Sequence, residues 1–405
     1  MKRLIFYLYC FFLLFAAMVT RQPGQGTGQL PVKQTTASQT IPVQDDEVDE
    51  KQTTESQTIT IQNEELDGRY YFSVLQEDDR ECYKEILQGI QKMDTEIAVS
   101  IADSERIEDI YKYVLCDFPE IFWCTGKGTI RSSQSILSKQ LGLYPEYAYS
   151  SAEKEKMQAE INAVATSCFD AYHPTKDSEY ERIKYVYEYL IRSVDYDVNA
   201  PDNQNLYSAL VGKKSVCAGY AKATQYLLGK MGIFCTYVTG TSNGGGHAWN
   251  LVQCEGKYYY VDTTWGDPVY QNEGGGVEIP EELRIRYDYL CCNDEELFRT
   301  HKLDDGLVMP SCDSLDANYY VRTGNYYENY DAKTVQNKLY EDIVSGASIS
   351  VFKFSSQEAY EAAAARVIET DLRTAAKSAA AKGAANMKYA YQKDPKLNKI
   401  VIYYL

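Results

Sequence analysis

The chain has 405 residues, of which 44% are hydrophobic and 24% are charged, so wholesale disorder and a collagen-like repeat are excluded and two or three folded domains are expected. Acidic residues outnumber basic ones by 58 to 41, which gives a net charge of −17. Nucleic acids and anionic membrane surfaces are bound through basic faces, so this charge argues against both as partners. Only three histidines are present, and a multi-histidine metal site would have to use nearly all of them.

The amino-terminal segment has the layout of a secretory signal. Lys2 and Arg3 precede an apolar run at 4–19, which is a basic region followed by a short hydrophobic region. Because no clean small-residue cleavage site follows, residues 1–20 are predicted to be either a signal peptide or an uncleaved membrane anchor. In both cases we expect the rest of the chain outside the cytoplasm, secreted or anchored at the extracellular face of the membrane, with membrane contact only through this segment.

Residues 21–68 are predicted to form a disordered linker. The segment is rich in Gln, Thr and acidic residues, and it repeats the pattern KQTT-x-SQTI at positions 33 and 51. Two short copies do not make a solenoid, and so polar a segment cannot bury a core. We expect a solvated spacer between the leader and the folded units.

The first folded unit is predicted at 69–150 as a small α/β domain. Its first helix carries apolar residues at helical spacing, namely Ile86, Ile90 and Met93. The hydrophobic periodicity predicts the following elements: a strand at 70–75, a helix at 81–93, a strand at 96–101, a helix that Ser104 caps and that runs to residue 115, and a strand at 119–124.

The second unit, 151–310, is predicted to carry the chemistry of the chain. It opens with two helices, the first at 152–172 and the second after Ser178, which forms a capping-box pattern with Glu181. The apolar residues of the second helix fall on one stripe: Ile183, Val186, Tyr187, Leu190, Ile191 and Val194.

The third unit, 311–405, is predicted to be another small α/β domain. A strand begins at Ile349, an Ala-rich helix covers 357–381, and a last strand begins at Lys399. This order of elements resembles that of the first unit.

One of the eleven cysteines stands apart by its position. The cysteines show no Cys-x-x-Cys pair and no zinc spacing, so buried thiols and one or two disulfides both stay open. In SVCAGYAKATQYLLGKMGI, however, Cys217 immediately precedes a predicted helix that stops at Gly232. The helix dipole and the free backbone N–H groups there favour a thiolate and can stabilise an oxyanion. An ordinary buried cysteine is the alternative.

A predicted β-hairpin places a histidine close to an aspartate. HAWNLVQC and KYYYVDTTWGDP are strand patterns joined by a two-residue turn, Glu255-Gly256. In this register His247, Trp249 and Asp262 share a face, and His247 lies diagonal to Asp262 within side-chain reach. A three-residue turn would place them on opposite faces. Taken singly, His247 could be a satisfied strand histidine and Asp262 a turn or cap residue.

Cys217, His247 and Asp262 together have the residue types of a cysteine nucleophile site. The thiolate would attack an amide carbonyl, and His247 would take the thiol proton and later deliver one to the leaving amine. Asp262 would hold the imidazole tautomer and support its charge. The predicted reaction is acyl transfer from an amide through a thioester.

SVCAGYA, GGGHAWN and YYYVDTTWGDP resemble, in this order and at these gaps, the three motifs of the transglutaminase-like superfamily, specifically its bacterial extracellular members. The motifs lie within 207–268. The resemblance implies an α+β fold with a papain-like transglutaminase core, in which the helix bearing Cys217 packs on an antiparallel sheet carrying His247 and Asp262. Small α/β units would flank this core.

The resemblance also implies roles for neighbouring residues. Trp249 and Asn250 would lie beside the histidine, and Trp265 would close the pocket. The second oxyanion donor of the family has no clear pattern here, and Gln204 and Tyr207 are its candidates. The calcium sites of the animal crosslinking enzymes are not seen, so the resemblance implies no metal and no cofactor.

Three functions stay open at this stage. The favoured one is an extracytoplasmic cysteine acyltransferase or hydrolase that acts on protein or peptide amides. A cysteine peptidase acting on surface or cell-wall peptides is the second, and a non-enzymatic surface adhesion or scaffold module is the third. The catalytic residue types favour an enzyme, since a degenerate module usually loses the cysteine or the histidine.

Overall fold

A computed structural model describes the chain at residues 61–62, 66–134, 139–267, 285–384 and 388–404. The predicted leader and nearly all of the predicted linker lie outside the described residues. Among the residues described, no helix is long and apolar enough to cross a membrane. The apolar core begins slightly upstream of the predicted boundary at residue 69, because Ile61 and Leu66 are buried in it.

The first unit combines three helices with a small sheet. In chain order its elements are α1 (Tyr70–Val74), α2 (Glu77–Lys92), β1 (Ile97–Val99), α3 (Ser104–Asp117), β2 (Cys124–Gln134) and β3 (Lys139–Tyr147). The sheet is antiparallel with the strand order β1-β3-β2. The apolar faces of α2 and α3 are buried in the same core as β1 and β3.

The strand predicted at 70–75 is wrong, because these residues form helix α1. The buried carboxylate of Asp117 accepts hydrogen bonds from the backbone N–H groups of Tyr71 (3.1 Å) and Phe72 (2.9 Å). A carboxylate at this end of a helix satisfies N–H groups that have no partner within the helix. Since Asp117 lies 46 residues from Tyr71, the local pattern of aromatic residues could not predict the helix.

The strand predicted at 119–124 is also wrong over most of its length, since β2 begins only at Cys124. The side chains at 121–123 are all buried. The N–H of Ile121 donates to the carbonyl of Phe118 (3.0 Å) and closes a turn. These consecutive apolar residues therefore fill the core from a turn instead of from a strand.

Helix α3 has a different cap from the one predicted. Asp103, and not Ser104, accepts hydrogen bonds from the N–H groups of Glu105 and Arg106. Asp and Ser are both favourable caps. Asp103 takes the role because its backbone is extended, whereas Ser104 is already helical.

Two longer helices follow, α4 (Ser151–Asp170) and α5 (Glu179–Ser193). Ser178 caps α5, as predicted, by accepting a hydrogen bond from the N–H of Glu181 (3.2 Å). The predicted apolar stripe of α5 is confirmed, because all of its members are buried: Ile183, Val186, Tyr187, Leu190, Ile191 and Val194.

Three short elements and the helix that begins with the candidate nucleophile come next in the chain. They are β4 (Asp195–Tyr196), α6 (Leu206–Leu210), β5 (Lys214–Ser215) and α7 (Cys217–Lys230). Strands β4 and β5 pair in parallel. Helix α7 is buried at every position from Ala218 to Leu228. It packs against α5 on one side and against the central sheet on the other.

The central sheet has five antiparallel strands. The elements that build it are β6 (Cys235–Ser242), β7 (Gly245–Cys254), β8 (Lys257–Val261), α8 (Thr263–Gly266), a 3₁₀ turn (Tyr287–Tyr289), β9 (Leu290–Cys292), α9 (Asp294–Leu297) and β10 (His301–Leu303). The strand order is β10-β6-β7-β8-β9. The α+β class and the packing of a cysteine-bearing helix on an antiparallel sheet are confirmed.

The predicted register of the β7–β8 hairpin is confirmed. Cys254 pairs with Lys257 and Asn250 pairs with Val261. The two turn residues, Glu255 and Gly256, have φ angles of 53° and 80°. Two successive positive φ angles define the tight turn that matches the twist of a hairpin.

The predicted return strand is too long. Strand β8 ends at Val261, and helix α8 begins at Thr263. The side chain of Asp262 accepts a hydrogen bond from the N–H of Trp265 and thereby caps α8. The two-residue turn would also place Thr264 opposite His247 in a longer strand, but this pair does not form, and Asp262 reaches His247 from a helix start.

The third unit forms a four-stranded sheet with its own apolar core. Its elements are α10 (Tyr319–Arg322), β11 (Tyr326–Tyr327), α11 (Ala332–Ser345), β12 (Ile349–Phe354), α12 (Gln357–Ala364), a π-helical turn (Val367–Asp371), α13 (Leu372–Ala380), β13 (Tyr389–Asp394) and β14 (Lys399–Tyr404). The strand order is β11-β12-β14-β13. The Ala-rich helix predicted at 357–381 is interrupted by the π-helical turn.

A buried group of charges joins the third unit to the central sheet. Lys353 of β12 and Lys399 of β14 both contact the carboxylate of Asp288, which stands beside β9. Lys353 also lies 3.5 Å from Glu296. Burial alone would raise the pKa of Asp288, but Lys399 and Lys353 outweigh it and lower that pKa to about 2. Two carboxylates thus balance two ammonium groups in the interior.

Replacing Asp288 by asparagine should destabilise the protein by about 3–5 kcal/mol, because two buried ammonium groups would lose their main counter-charge. Denaturant unfolding followed by circular dichroism measures the change. Asp305→Asn is the matched control, since its pair with Lys302 is solvent-exposed and should contribute less than about 1 kcal/mol. Equal stabilities for the two variants would contradict this account of the buried charges.

Candidate active site

Cys217 is the first residue of helix α7, and its side chain is half-buried. The preceding residue, Val216, has an extended backbone, and its N–H donates to the carbonyl of Asn203 (3.0 Å). Ser215 also donates from Oγ to this carbonyl (2.7 Å). The approach to the helix is therefore held on two sides, and the first N–H groups of α7 lie beside the thiol, where no earlier turn can use them.

Close packing around position 219, two residues after Cys217, leaves room only for glycine. A Cβ at this position would lie 2.9 Å from the backbone oxygen of Asn205 and would collide with Oγ of Ser215. Both atoms belong to the segment that precedes α7, so a larger residue would push the helix start away. The glycine of the SVCAGYA motif thus serves the placement of Cys217.

His247, near the start of the middle strand β7 of the central sheet, forms a direct hydrogen bond with Asp262. Nε2 of His247 lies 2.7 Å from Oδ2 of Asp262. The two side chains are only 8% and 1% exposed. The thiol of Cys217 lies close enough to His247 to act on the imidazole and helps to raise its pKa. The structure therefore brings the three predicted residues together in the order thiol, imidazole, carboxylate.

The His247–Asp262 contact changes the pKa values of both groups. Burial acts to lower the pKa of His247, but the Asp262 carboxylate and the contact with Cys217 outweigh it and raise that pKa to about 10. Burial acts to raise the pKa of Asp262, yet the two histidines at its carboxylate hold that pKa well below its usual range. At neutral pH the pair is thus an imidazolium and a carboxylate.

The stability that His247 contributes should depend on pH. Because its pKa is about 10 in the fold and about 6.5 in the unfolded chain, its contribution is complete below pH 6.5 and is lost as the pH rises through 10. The difference in unfolding free energy between the native protein and His247→Gln should shrink over this range. His173→Gln, at an exposed histidine, is measured over the same pH range as the control, and parallel curves for both variants would contradict the prediction.

The two predicted tryptophans lie against the histidine. The ring of Trp249 stacks on His247 with centroids 5.9 Å apart and an interplanar angle of 22°. Trp265 meets His247 edge-on at 6.4 Å, and its backbone N–H donates to Oδ1 of Asp262 (3.0 Å). Asn250 faces the other way and donates to the carbonyl of Ala221 (3.0 Å) in α7. It thereby ties the histidine strand to the cysteine helix.

The two candidates for an oxyanion donor have different positions. Tyr207 does not point its hydroxyl to the site, because that hydroxyl donates to the carboxylate of Glu160 (2.5 Å). Gln204 follows Asn203, whose carbonyl is bound at the start of α7, so its backbone lies near the cysteine. Of the two residues predicted as the second oxyanion donor, only Gln204 therefore remains a candidate.

A third histidine, His301, also lies at the site, and the sequence patterns did not predict it. His301, on β10, places Nε2 3.0 Å from Oδ2 of Asp262. Its side chain is fully buried. It comes 39 residues after Asp262 in the chain and arrives through the pairing of β10 with β6. The rarity of histidine was the one available indication, since two of three histidines of the whole chain meet here.

His247, Asp262 and His301 are also the residues that could hold a metal ion. Each offers one ligand atom, and these atoms lie within 4.8 Å of one another; no other such group occurs within the ranges that the structure describes. The nitrogen–oxygen separations of 2.7 and 3.0 Å are hydrogen-bond distances. We therefore interpret the group as a hydrogen-bonded cluster.

A cysteine-bearing helix packed on an antiparallel sheet places the fold in the papain-like α+β class. Within this fold, residues 170–263 match the model of the transglutaminase-like superfamily. The part of the chain that is similar to this superfamily therefore contains Cys217, His247 and Asp262.

Two curated relatives are similar to part of the chain. Mouse (Mus musculus) kyphoscoliosis peptidase is 28% identical over 153 residues, which are 34% of this chain and 22% of that protein. The human (Homo sapiens) kyphoscoliosis peptidase is 28% identical over 106 residues, or 22% of this chain and 16% of that protein. The chain therefore spans less than a quarter of the length of these relatives.

A solved structure described as a TGase is similar to this chain at 13% sequence identity. The matched region covers 46% of this chain and 54% of the chain in that structure. The TM-score is 0.26.

Proposed function

We propose that the protein is a cysteine-dependent acyltransferase or amide hydrolase that acts on protein or peptide amides. The observation that carries the proposal is the contact of Cys217 with His247, which is in turn bonded to Asp262. A thiol at a helix start beside an imidazole and a buried carboxylate is the arrangement that amide attack requires.

The proposed reaction has two half-reactions that share one thioester. The thiolate of Cys217 attacks the amide carbonyl, and the imidazolium of His247 gives its proton to the leaving amine. The carbon–nitrogen bond breaks and a thioester remains on the sulfur. A water or an amine then attacks the thioester, and His247 takes the proton of this nucleophile. The carbon–sulfur bond breaks, and the thiolate of Cys217 leaves beside the imidazolium of His247, as at the start.

Two features of the site support this sequence of steps. The raised pKa of His247, about 10, keeps a proton available for the leaving amine at neutral pH. The free N–H groups at the first turn of α7 lie where negative charge develops on the carbonyl oxygen. Asp262 holds the imidazole by Nε2 and so leaves Nδ1 to face the thiol.

The fate of the thioester separates the candidate activities. Attack by a lysine amine on a γ-glutamyl thioester gives a crosslink, and attack by water on the same thioester gives deamidation. Attack by water on a thioester formed by backbone cleavage gives proteolysis. The relatives are peptidases by name, which favours hydrolysis as the second candidate. Surface or cell-wall proteins and peptides are the proposed substrates.

One incubation distinguishes these outcomes. The purified protein is mixed with a glutamine-containing peptide and a labelled primary amine, and the products are analysed by mass spectrometry. Incorporated label identifies amine transfer, the small mass increase of deamidation identifies water attack on a side-chain thioester, and shorter peptides identify proteolysis. No change with a panel of such peptides, or products that form equally with Cys217→Ala, would contradict the proposal and would favour a binding or scaffold module.

The extracytoplasmic location is a separate proposal, supported by the basic and apolar residues at the amino terminus. Cell fractionation with an antibody against the folded part tests it directly. The protein should be found in the medium or on the extracellular face of the membrane, where protease added to intact cells can reach it. Full-length protein in the cytosol would contradict both the location and the proposed surface substrates.

A further inference from the structure

The carboxylate of Asp262 is a shared acceptor for two histidines. Its Oδ2 receives His247 on one side (2.7 Å) and His301 on the other (3.0 Å), while Oδ1 receives the N–H of Trp265 (3.0 Å). The carboxylate is 1% exposed, and a buried charge of this kind must be held by hydrogen bonds from the protein.

A chain of hydroxyl groups specifies the tautomer of His301. Its Nδ1 lies 2.8 Å from Oγ1 of Thr300, and the hydroxyl of Tyr289 lies 3.4 Å from the same oxygen. Oγ1 of Thr300 also lies 3.3 Å from the carbonyl of Leu297, and this carbonyl already accepts the N–H of Thr300 (3.0 Å). The contact with Nδ1 of His301 is the shorter of the two, and Nε2 must donate to the carboxylate, so the hydroxyl proton of Thr300 is assigned to Nδ1. The imidazole then carries its own proton on Nε2, where it donates to Asp262.

Aromatic rings prevent His301 from turning away. Its ring centroid lies 5.1 Å from that of Trp249, 5.3 Å from that of Trp265 and 5.6 Å from that of Tyr289. The backbone on which it stands pairs with β6, with His301 opposite Ser242. The donor that faces Asp262 is thus held both by its hydrogen bond and by packing.

We propose that His301 is a positioning residue of the site, which orients the Asp262 carboxylate toward His247 through a second, tautomer-locked hydrogen bond. This inference rests on the proposed function for its kinetic consequences. His301 does not touch the substrate or the thiol; it acts through Asp262. Without it, one lone pair of Oδ2 would lose its donor, and the carboxylate could rotate out of line with the imidazole.

Paired substitutions separate a positioning role from simple packing. His301→Leu removes the donor and keeps much of the volume, whereas His301→Gln retains an N–H donor of similar reach. Thr300→Val and Thr300→Ser form a second pair, in which only serine keeps the hydroxyl that locks the tautomer. His173→Leu, at an exposed histidine, is the control outside the site.

Two readouts are measured on each purified variant, with its thermal unfolding midpoint as a check on folding. The first is kcat and KM with the best amide substrate. The second is the rate at which iodoacetamide alkylates Cys217, located by peptide mass spectrometry, because this rate needs no substrate. A failure of the wild-type protein to turn over any amide would contradict the proposed function, while the alkylation rates would still decide the role of His301.

We expect His301→Leu to lower kcat by about 10–100-fold, the effect of losing one hydrogen bond to a charged group, with little change in KM. Alkylation of Cys217 should slow in parallel, and His301→Gln should recover most of both losses. Thr300→Val should lower kcat while Thr300→Ser does not. Wild-type rates in His301→Leu, or equal losses in the leucine and glutamine variants at unchanged unfolding midpoints, would overturn the proposal. If His301→Leu does not fold, equal kcat for Thr300→Val and Thr300→Ser would overturn it.

Discussion

Replacing Cys217 by alanine is expected to reduce turnover of the amide substrate by at least about 10⁴-fold, since removal of a catalytic nucleophile leaves only binding and oxyanion stabilisation. The fold should persist, because alanine is an excellent helix former and the half-buried thiol contributes little volume to the core. Initial rates with the substrate identified by mass spectrometry measure the loss, and the unfolding midpoint verifies the fold.

Cys124→Ala is the matched control for this experiment. Cys124 is also half-buried, but it lies at the start of β2 in the first unit, and burial raises the pKa of its thiol to about 12. Its removal should leave turnover within a small factor of the wild-type value. Comparable turnover by Cys217→Ala and by the native protein would show that the nucleophile is another residue.

Replacing Asp262 by asparagine is expected to lower kcat by about 10³–10⁴-fold, because the imidazole loses the charge and the acceptor that hold its tautomer. The structure makes this substitution unusually severe. Oδ2 accepts from His247 and His301 and Oδ1 accepts from the N–H of Trp265, so three donors converge on the carboxylate. An asparagine amide must turn its NH₂ group against at least one of them.

The same experiment includes Asp304→Asn, an exposed carboxylate next to β10. This control should keep wild-type kcat and stability. Alkylation of Cys217 by iodoacetamide should be slower in Asp262→Asn and unchanged in Asp304→Asn. A kcat in Asp262→Asn within a few fold of wild type would contradict the role assigned to the carboxylate.

The part of the site that depends on nearby residues could be predicted from the sequence. The register of the β7–β8 hairpin depends on a two-residue turn, and Glu255-Gly256 adopts the positive φ angles that this turn needs. The start of α7 could be predicted because the helical pattern begins after Cys217 and stops at Gly232. These patterns were sufficient to bring Cys217, His247 and Asp262 together.

The features that the sequence did not predict depend on contacts between distant segments. Helix α1 forms where a strand was expected because Asp117, at the end of α3, binds its first N–H groups. His301 enters the site because β10 pairs with β6 at the far edge of the sheet. Neither partner can be identified from local periodicity.

Buried charges were equally inaccessible to sequence patterns. Lys353 and Lys399 stand in strands whose alternation of side chains suggests that the lysines face solvent. Both are nevertheless buried, because each forms an ion pair with Asp288, which lies on another unit. A lysine in a strand usually reaches water. Only the docking of the third unit on the central sheet explains these two.

The most direct test of the central claim is to trap the thioester. Asp262→Asn, or the native protein, is incubated with an activated side-chain ester of a glutamyl peptide. The reaction is quenched rapidly in acid, and the protein is analysed by peptide mass spectrometry. The account predicts one acyl adduct, on the peptide that contains Cys217, and its release by hydroxylamine or by an added amine. An adduct on a different residue, or the same labelling in Cys217→Ala, would contradict the claim that Cys217 carries the acyl group.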